Sequence, residues 1–265
     1  MFSVENDLDL SGSLQLSGGI QGELQPGDWV AEGEVLEASG LKVVYEGTDN
    51  VHPPAGTCLV VLRDNDSDSS VQGNSPDGVV ELSILADDET DLEEKLTVEL
   101  QDLPGTARAI SNRSFSIRVD ADPPRLEDPI PDSDDWHSSF NVIAGIVAND
   151  TGTSGIDVST LDYSYLGPAG VTEWTQEDLS IAVDGPKVEA MTVLSLPDGV
   201  GYWVRWRVKD MVGNPYTISD RTSIRVDTRN VSFANPYPRA NEWQNTSDVA
   251  CGVTIRDLDG SGIDV

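Results

Sequence analysis

The chain has 265 residues, of which 38% are hydrophobic, and its 47 acidic and 16 basic side chains give a formal net charge of −31. A surface this acidic repels phosphate groups, so nucleic acids and anionic membranes are poor partners. The densest apolar run, CLVVL at 58–62, is far shorter than the roughly 18 residues of a membrane span. The acid excess suits a halophilic protein, because salt screens self-repulsion, and it also suits cation binding at acidic loops.

Residues 1–122 are predicted to form a first domain of short strands. About the first 20 residues lack a clear strand pattern and are interpreted as a linker. Strands are expected at 41–47, 57–64, 78–85, 95–102 and 114–120. Apolar residues alternate with polar ones in these segments, which is the period of a half-buried strand. The best helical candidate, 87–100, runs into β-branched alternation, so no helix is predicted.

Residues 123–229 are predicted to form a second domain with the same rhythm. Strands are expected at 140–148, 161–167, 171–176, 188–196, 202–210 and 223–227, separated by Gly-, Pro- and Asn-rich turns. In the strand at 202–210, Val204, Trp206 and Val208 share one face, so this face is expected to line the core.

An internal repeat defines the organisation of the chain. Residues 116–158 align without a gap to residues 223–265, and 16 of 43 positions are identical. The shared features include both SIRVD segments, both P-x-P pairs and both SGIDV endings. Residues 230–265 are therefore predicted to begin a third repeat, which by alignment would continue to about residue 336 and is truncated here.

About seven short strands per hundred residues, joined by tight turns, predict an all-β fold of tandem antiparallel immunoglobulin-like β-sandwiches. A small barrel is the alternative, but head-to-tail repetition with short junctions favours sandwiches. The antibody pattern of a Cys–Trp–Cys core is absent, because the only cysteines are Cys58 and Cys251. Both lie in strand patterns and are expected to be buried.

The junctions RVDADPPRL and RVDTRNVSF, the loop TSGIDVSTLDYS and the segment VRWRVKDMVGNP carry a resemblance. They resemble the tandem bacterial and archaeal immunoglobulin-like repeat domains of large cell-surface or secreted proteins. Asp210, Gly213 and Asn214 match the V-x-D-x-x-G-N turn of those repeats. The resemblance implies a non-catalytic structural or adhesive stalk module at the cell surface or outside the cell, with an export signal upstream. Its partners would be neighbouring repeats of the same chain, a cell-surface protein or a glycan.

Calcium is the one cofactor that the acidic loops suggest, and none is certain. The ending DLDGSGIDV imitates the start of an EF-hand loop, but its duplicate at 150–161 has neither the third-position ligand nor the closing Glu. The ending is therefore predicted to be a turn between strands. The candidate calcium ligands are the alternating acids of two loops, Asp64, Asp66 and Asp68 in the first and Asp257 and Asp259, with Asp264, in the second.

The junctions between repeats offer another place for an ion. Asp120 and Asp122 could share a cation with loops of the next module, and Asp227 holds the place of Asp120 in the second junction. There, however, Arg229 replaces Asp122, which weakens the hypothesis.

Nothing in the sequence indicates catalysis. His52 and His137 have no metal-ligand spacing and are interpreted as surface residues, and no Ser/His/Asp set or phosphate-binding glycine loop occurs. The chain is therefore predicted not to be an enzyme.

Two features of the sequence point to glycans, either attached to the chain or bound by it. Five N-x-[ST] sequons, expected in loops or at strand edges, are glycosylation candidates: Asn65, Asn112, Asn149, Asn230 and Asn245. Trp174 and Trp203 could face a sugar, whereas Trp136 and Trp243 are expected in the core. The alternative function is therefore a carbohydrate- or ligand-binding module that accompanies a secreted enzyme, favoured if an aromatic platform is exposed.

Overall fold

The computed structural model describes residues 8–19, 21–46, 51, 53, 58–64, 69–73, 78–86, 93–102, 109–132, 135–152, 154–257 and 260–263. By their contacts the residues form two units. Unit 1 comprises Met1–Pro123, Asp150–Gly155 and Asp210–Pro215, and unit 2 comprises Pro124–Asn149, Ile156–Lys209 and Tyr216–Val265. Every helix or strand assigned in the described residues is a β-strand, so the all-β prediction is confirmed. No helix in this described part is long and apolar enough to cross a membrane.

The described residues of unit 1 contain nine strands: β1 (Leu8–Gly18), β2 (Gly22–Leu24), β3 (Trp29–Ala31), β4 (Val35–Tyr45), β5 (Cys58–Arg63), β6 (Ser69–Gly73), β7 (Val79–Leu85), β8 (Glu93–Asp102) and β9 (Ala109–Asp120). One sheet has the order β2-β1-β4-β7, and the other has the order β3-β9-β8-β5-β6. The pairings are antiparallel, except that β3 runs parallel to β9. The alternating residues that the sequence assigns to one face form the core between these sheets.

The start of the chain is not a linker throughout, contrary to the sequence-based prediction. Strand β1 pairs with β4 from Leu8↔Tyr45 to Ser17↔Glu37, and Leu10 and Leu16 are fully buried in the core. A register shift between Gly12 and Gln15 interrupts the two-residue alternation. Because of this irregularity and the Gly and Ser content of the segment, the local sequence pattern does not indicate a strand here.

Unit 2 contains the strands β10 (Arg125–Ile130), β11 (Trp136–His137), β12 (Asn141–Asn149), β13 (Ile156–Gly167), β14 (Gly170–Val171), β15 (Ser180–Asp184), β16 (Lys187–Ser195), β17 (Gly199–Asp210), β18 (Thr217–Ile218), β19 (Thr222–Val226), β20 (Ser232–Tyr237) and β21 (Gly252–Arg256). Its sheets have the orders β10-β12-β16-β15 and β11-β19-β17-β13-β14, with β18 pairing β17. The first sheet corresponds to strands ABED of an immunoglobulin fold, and β19-β17-β13 correspond to GFC. The strand order itself therefore confirms the immunoglobulin-like prediction.

The core of unit 2 is built around Trp206, which is fully buried on β17 with Val204 and Val208, as the alternation predicts. The Tyr163 ring on β13 lies 5.5 Å from the Trp206 ring, centroid to centroid. The predicted strand at 171–176 is shorter in the structure: only Gly170–Val171 forms β14, and Thr175 makes an isolated bridge to Tyr163.

The segment after residue 229 forms the hairpin β20–β21, which starts as the second repeat does. Asn235 has a φ of 49°, as does Asp128 at the equivalent position. All five residues of β21 are exposed, because no second sheet covers this hairpin in the described residues. Two predictions are wrong for this reason: Cys251 is exposed, whereas Cys58 is buried as expected, and Trp243 is 99% exposed rather than part of a core.

Candidate functional site

Asp120, the last residue of β9, is fully buried within unit 1. Its Oδ1 accepts a hydrogen bond from the amide of Asp122 (3.1 Å), and its Oδ2 accepts one from the amide of Ser154 (3.3 Å). Its carbonyl oxygen accepts from the side-chain amide of Asn214 (3.0 Å). Asp120 thus connects the end of β9 to two loops, 150–155 and 210–215, that belong to unit 1.

Asp150 begins the first of these loops, directly after β12, and is 3% exposed. Its Oδ1 accepts from the Gly152 amide (3.1 Å), and its Oδ2 accepts from the Gly155 amide. Gly155 has a φ of 99°, a conformation that favours glycine. A Cβ at Gly152 would lie 1.8 Å from Oδ1 of Asp120, so the loop backbone passes directly against that carboxylate. These bonds form a turn between β12 and β13, where the sequence predicts one of the turns that separate the strands of the second domain.

Asp210 ends β17 and is 1% exposed. Its Oδ1 accepts from the amides of Gly213 (2.8 Å) and Asn214 (2.9 Å). These residues are the ones matched by the V-x-D-x-x-G-N turn in the sequence. Its Oδ2 is also buried and has no hydrogen-bond partner in the described structure. A buried carboxylate oxygen without a partner is costly, so this atom is the most distinctive one in the site.

The three residues Asp120, Asp150 and Asp210 are called the aspartate cluster here. Burial raises the pKa of Asp120, and the nearby charge of Asp150 adds to this effect. Burial likewise raises the pKa of Asp210, with a contribution from the charge of Asp120. Within the described residues, no Lys, Arg or His forms an ion pair with Asp120 or Asp210. Asp120 and Asp210 are thus two buried acidic groups without a pairing base among the described residues.

The same arrangement occurs 107 residues further along, in unit 2. Asp227 follows β19 as Asp120 ends β9, and its Oδ1 and Oδ2 accept from the amides of Arg229 (3.1 Å) and Ser261 (2.7 Å). Asp257 takes the place of Asp150, and its Oδ2 accepts from the amide of Gly262 (2.7 Å). Oδ1 of Asp257 is buried without a partner in the described structure. Three hydrogen bonds of the aspartate cluster are therefore reproduced between equivalent residues.

The two arrangements differ in electrostatics. The pKa of Asp227 is lowered, chiefly by the hydrogen bond from the Ser261 amide, whereas the pKa of Asp120 is raised by burial. The difference follows from burial, because Asp120 is fully buried and Asp227 is half-buried.

The structure describes only part of the sequence-predicted calcium ligands. Asp64 and Asp257 are described, whereas Asp66, Asp68, Asp259 and Asp264 lie outside the described residues. Asp122 is exposed, and its backbone amide donates a hydrogen bond to Asp120. Among the described residues, no three His, Cys, Asp or Glu side chains already form a group that could hold a metal ion. Sequence reasoning missed Asp150 as a candidate ligand, although its identity with Asp257 in the repeat was a usable signal.

The glycosylation candidates are accessible in part. Asn112, Asn230 and Asn245 are exposed, Asn149 is half-buried, and Asn65 lies outside the described residues. Asn112 lies inside β9, paired with Glu99, so the expectation that all sequons lie in loops or at strand edges is wrong for it. His137 is half-buried on β11 with its Nε2 buried and unpartnered in the described structure, and His52 lies outside that structure.

A second notable feature of unit 2 is a ladder of alternating cationic and aromatic side chains, called here the cation–aromatic ladder. It lies on β17 and the segments beside it, and each cation lies 4.3–5.5 Å from the centroid of a neighbouring ring. Its members in spatial order are Arg221, Trp203, Arg205, Trp174, Arg207, Tyr216 and Lys209. Trp203 is 9% exposed and Trp174 is half-buried, so guanidinium groups cover the rings that were expected to face a sugar.

Comparisons with known proteins find solved structures of low identity to this chain. No protein-family model and no curated protein matches it. The C-terminal domain of the Streptococcus agalactiae AgI/II polypeptide BspA is 9% identical, with 81% of this chain and 100% of that chain covered and a TM-score of 0.39. The fibronectin(III)-like modules of Clostridium thermocellum CbhA are 12% identical, with 80% and 92% covered and a TM-score of 0.34. A tandem immunoglobulin pair of titin is 10% identical, with 82% and 98% covered and a TM-score of 0.26.

Two of these neighbours are immunoglobulin or fibronectin(III)-like modules by name. At these levels of likeness, the fold assignment depends on the strand orders of the two units.

Proposed function

We propose that the chain is a non-catalytic structural or adhesive stalk segment of a larger extracellular or cell-surface protein, whose repeats space a functional domain from the surface. The observation that supports this proposal is the recurrence of one aspartate-and-amide arrangement at the ends of β9 and β19. A repeat array is stabilised at every junction if the same arrangement recurs in each repeat. A catalytic site, in contrast, needs to occur only once in a protein. The neighbouring partners of this segment would then be further repeats of the same chain.

We further propose that the aspartate cluster holds a divalent cation, with Ca²⁺ as the best match. Calcium takes six to eight oxygen ligands from carboxylates, backbone carbonyls and water. The buried Oδ2 of Asp210 is an oxygen ligand of this type that makes no hydrogen bond in the described structure. The backbone at Gly152 lies close to the carboxylate of Asp120 and encloses it on one side. Because the three carboxylates are not already grouped for a metal, the ion would draw them together and complete its shell with carbonyls and water.

The consequence for a stalk is mechanical. A cation at this place would link the end of β9 to the loops at 150–155 and 210–215, three segments that are far apart in sequence. Asp120 lies only four residues before unit 2 begins at Pro124. The ion would therefore restrain the segment through which the chain leaves unit 1, and it would raise the force needed to unfold the unit.

Single-molecule stretching of the full chain tests this function. We expect two force peaks, each followed by an extension of about 340 Å for roughly 100 unfolded residues at about 3.4 Å each. Calcium is expected to raise at least one peak in the wild type but not in Asp210→Asn, and Asp248→Asn, which changes an exposed aspartate outside the cluster, serves as the control. Extension without a resolvable peak, in calcium as in chelator, would contradict a load-resisting role.

Three sequence-based hypotheses remain proposals beside this one. Asp64, Asp66 and Asp68 are proposed as a separate calcium loop, Asp257 and Asp259 as ligands of the repeated arrangement, and the five sequons as glycan acceptors. Location outside the cell or at its surface belongs to the same proposal. For the alternative function, the covered faces of Trp174 and Trp203 do not support a platform that stacks against neutral sugars.

A further inference from the structure

The cation–aromatic ladder concentrates positive charge on one sheet face of unit 2. The chain has 16 basic residues in 265, and four of them, Arg205, Arg207, Lys209 and Arg221, belong to this ladder. Three lie at alternate positions of β17, so their side chains leave the same face about 7 Å apart. The chain as a whole has a net charge of −31, so this row of cations is a positively charged patch on an otherwise acidic protein.

Most of this charge is not neutralised. Arg207 donates from Nε (2.9 Å) and Nη2 (2.6 Å) to Oδ2 of Asp162, whereas no carboxylate of the described residues forms an ion pair with Arg205, Lys209 or Arg221. Nε of Arg205 is buried without a hydrogen-bond partner in the described structure. The pair between Arg207 and Asp162 shows how a carboxylate docks on this face, and Arg205, which has no ion pair among the described residues, offers a second cation beside it.

The aromatic rings fix the cations in place. The Arg205 guanidinium lies 4.7 Å from the centroid of Trp174 and 5.5 Å from that of Trp203, so it is held between two rings. Arg207 is held in the same way between Trp174 and Tyr216, at 4.6 and 4.5 Å. Groups that are ordered in advance lose less conformational entropy on binding, which makes the row a prepared anion-binding surface.

We propose that the ladder face of unit 2 binds an acidic polysaccharide through the carboxylates of its uronate residues. A linear polymer with regularly spaced carboxylates matches a straight row of cations and contacts only that row. A second copy of this chain would instead bring together two bodies of charge −31. Single-stranded nucleic acid needs open aromatic faces for base stacking, and here the faces of Trp174 and Trp203 are covered.

The test is the binding of the full chain to polygalacturonate, measured by calorimetry in chelator and low salt. Chelator removes any contribution from a calcium site, so this test and that of the proposed stalk fail independently. We expect saturable binding that weakens as NaCl is added. Neutral dextran should not bind, and single-stranded oligothymidine should bind much more weakly than polygalacturonate.

The double variant Lys209→Gln/Arg221→Gln removes the two ends of the ladder, which contact one ring each. We expect it to bind polygalacturonate at least about tenfold more weakly, since half of the cations of the row are gone. The matched control Arg239→Gln/Arg256→Gln has the same net charge, changes exposed bases elsewhere in unit 2, and should bind as the wild type does.

Four results would overturn the proposal. They are no binding of polygalacturonate by the wild type, equal losses in the two double variants, comparable binding of oligothymidine, and self-association that sedimentation detects in the wild type but not in Lys209→Gln/Arg221→Gln. The last result would assign the face to a second copy of the chain. An unchanged thermal midpoint in the double variant ensures that weaker binding is not caused by unfolding.

Discussion

Asp120 and Asp210 are carboxylates that the fold buries without a pairing base among the described residues. Such groups bind protons more tightly in the folded chain than in the unfolded chain, because burial disfavours the charged form. Backbone amides offset part of the cost, since Oδ1 of Asp210 accepts two hydrogen bonds. The amides do not cancel the negative charge of the carboxylates, and a divalent cation would neutralise it.

The raised pKa values predict a pH dependence of stability in the absence of calcium. The stability associated with protonated Asp120 and Asp210 is full below their ordinary value of 3.8 and is lost as pH rises through their raised values. Asp198 and Asp227, whose pKa values are lowered, act in the opposite sense and lose their contribution as pH falls. In chelator, the thermal midpoint of Asp210→Asn should therefore increase relative to that of the wild type as pH rises from 4 to 7. A difference that does not change with pH would contradict the assignment of charge to this site.

Gly152 tests the packing of the cluster without changing its charge. Its φ is an ordinary one, so the expected cost of Gly152→Ala is steric and comes from the contact of 1.8 Å with Oδ1 of the buried Asp120. We expect a loss of about 1–3 kcal/mol in unfolding free energy by urea denaturation, the usual range for overpacking. Gly252→Ala is the control, because a Cβ there meets nothing within 4 Å. Equal losses of unfolding free energy in the two variants would show that the backbone at Gly152 does not pack closely against Asp120.

At the scale of elements, local alternation predicted most strands but not all. Strands β7, β8, β16 and β17 follow it closely, since one face of each is buried in a core, whereas in β5 Val61 on the opposite face is buried as well. Strand β1 was missed because its pairing with β4 and its bulge depend on residues far away in sequence. The aspartate cluster was predictable only in part: the junction at Asp120 and the turn at Asp210 were visible as motifs, but their proximity is a tertiary property.

The role of β1 can be measured directly. Leu16 is fully buried in the core of unit 1, so Leu16→Ala should cost about 2–5 kcal/mol of unfolding free energy, as large-to-small changes in cores do. Val35→Ala on β4 removes a side chain that is 53% exposed and should cost much less. Should the two variants unfold at the same urea concentration, the N-terminal segment would be the linker that its local sequence suggests.

At the scale of the whole molecule, the net charge of −31 acts on stability independently of any specific site. Like charges repel one another in the compact state, and NaCl shortens the range of this repulsion from about 10 Å at 0.1 M to about 3 Å at 1 M. In chelator, the thermal midpoint of the full chain should therefore rise between these salt concentrations. A midpoint that stays constant or falls would mean that the acids are spaced widely enough not to repel.

The central claim is that the aspartate cluster binds a divalent cation only in the folded state. The most direct measurement is the thermal midpoint of the full chain in millimolar Ca²⁺ and in chelator, at matched ionic strength, for the wild type, Asp210→Asn and Asp248→Asn. Calcium should raise the midpoint by several degrees in the wild type and in Asp248→Asn, because a ligand of the folded state stabilises it, and by much less in Asp210→Asn. An equal rise in all three proteins, or none in any, would contradict a cation at this site.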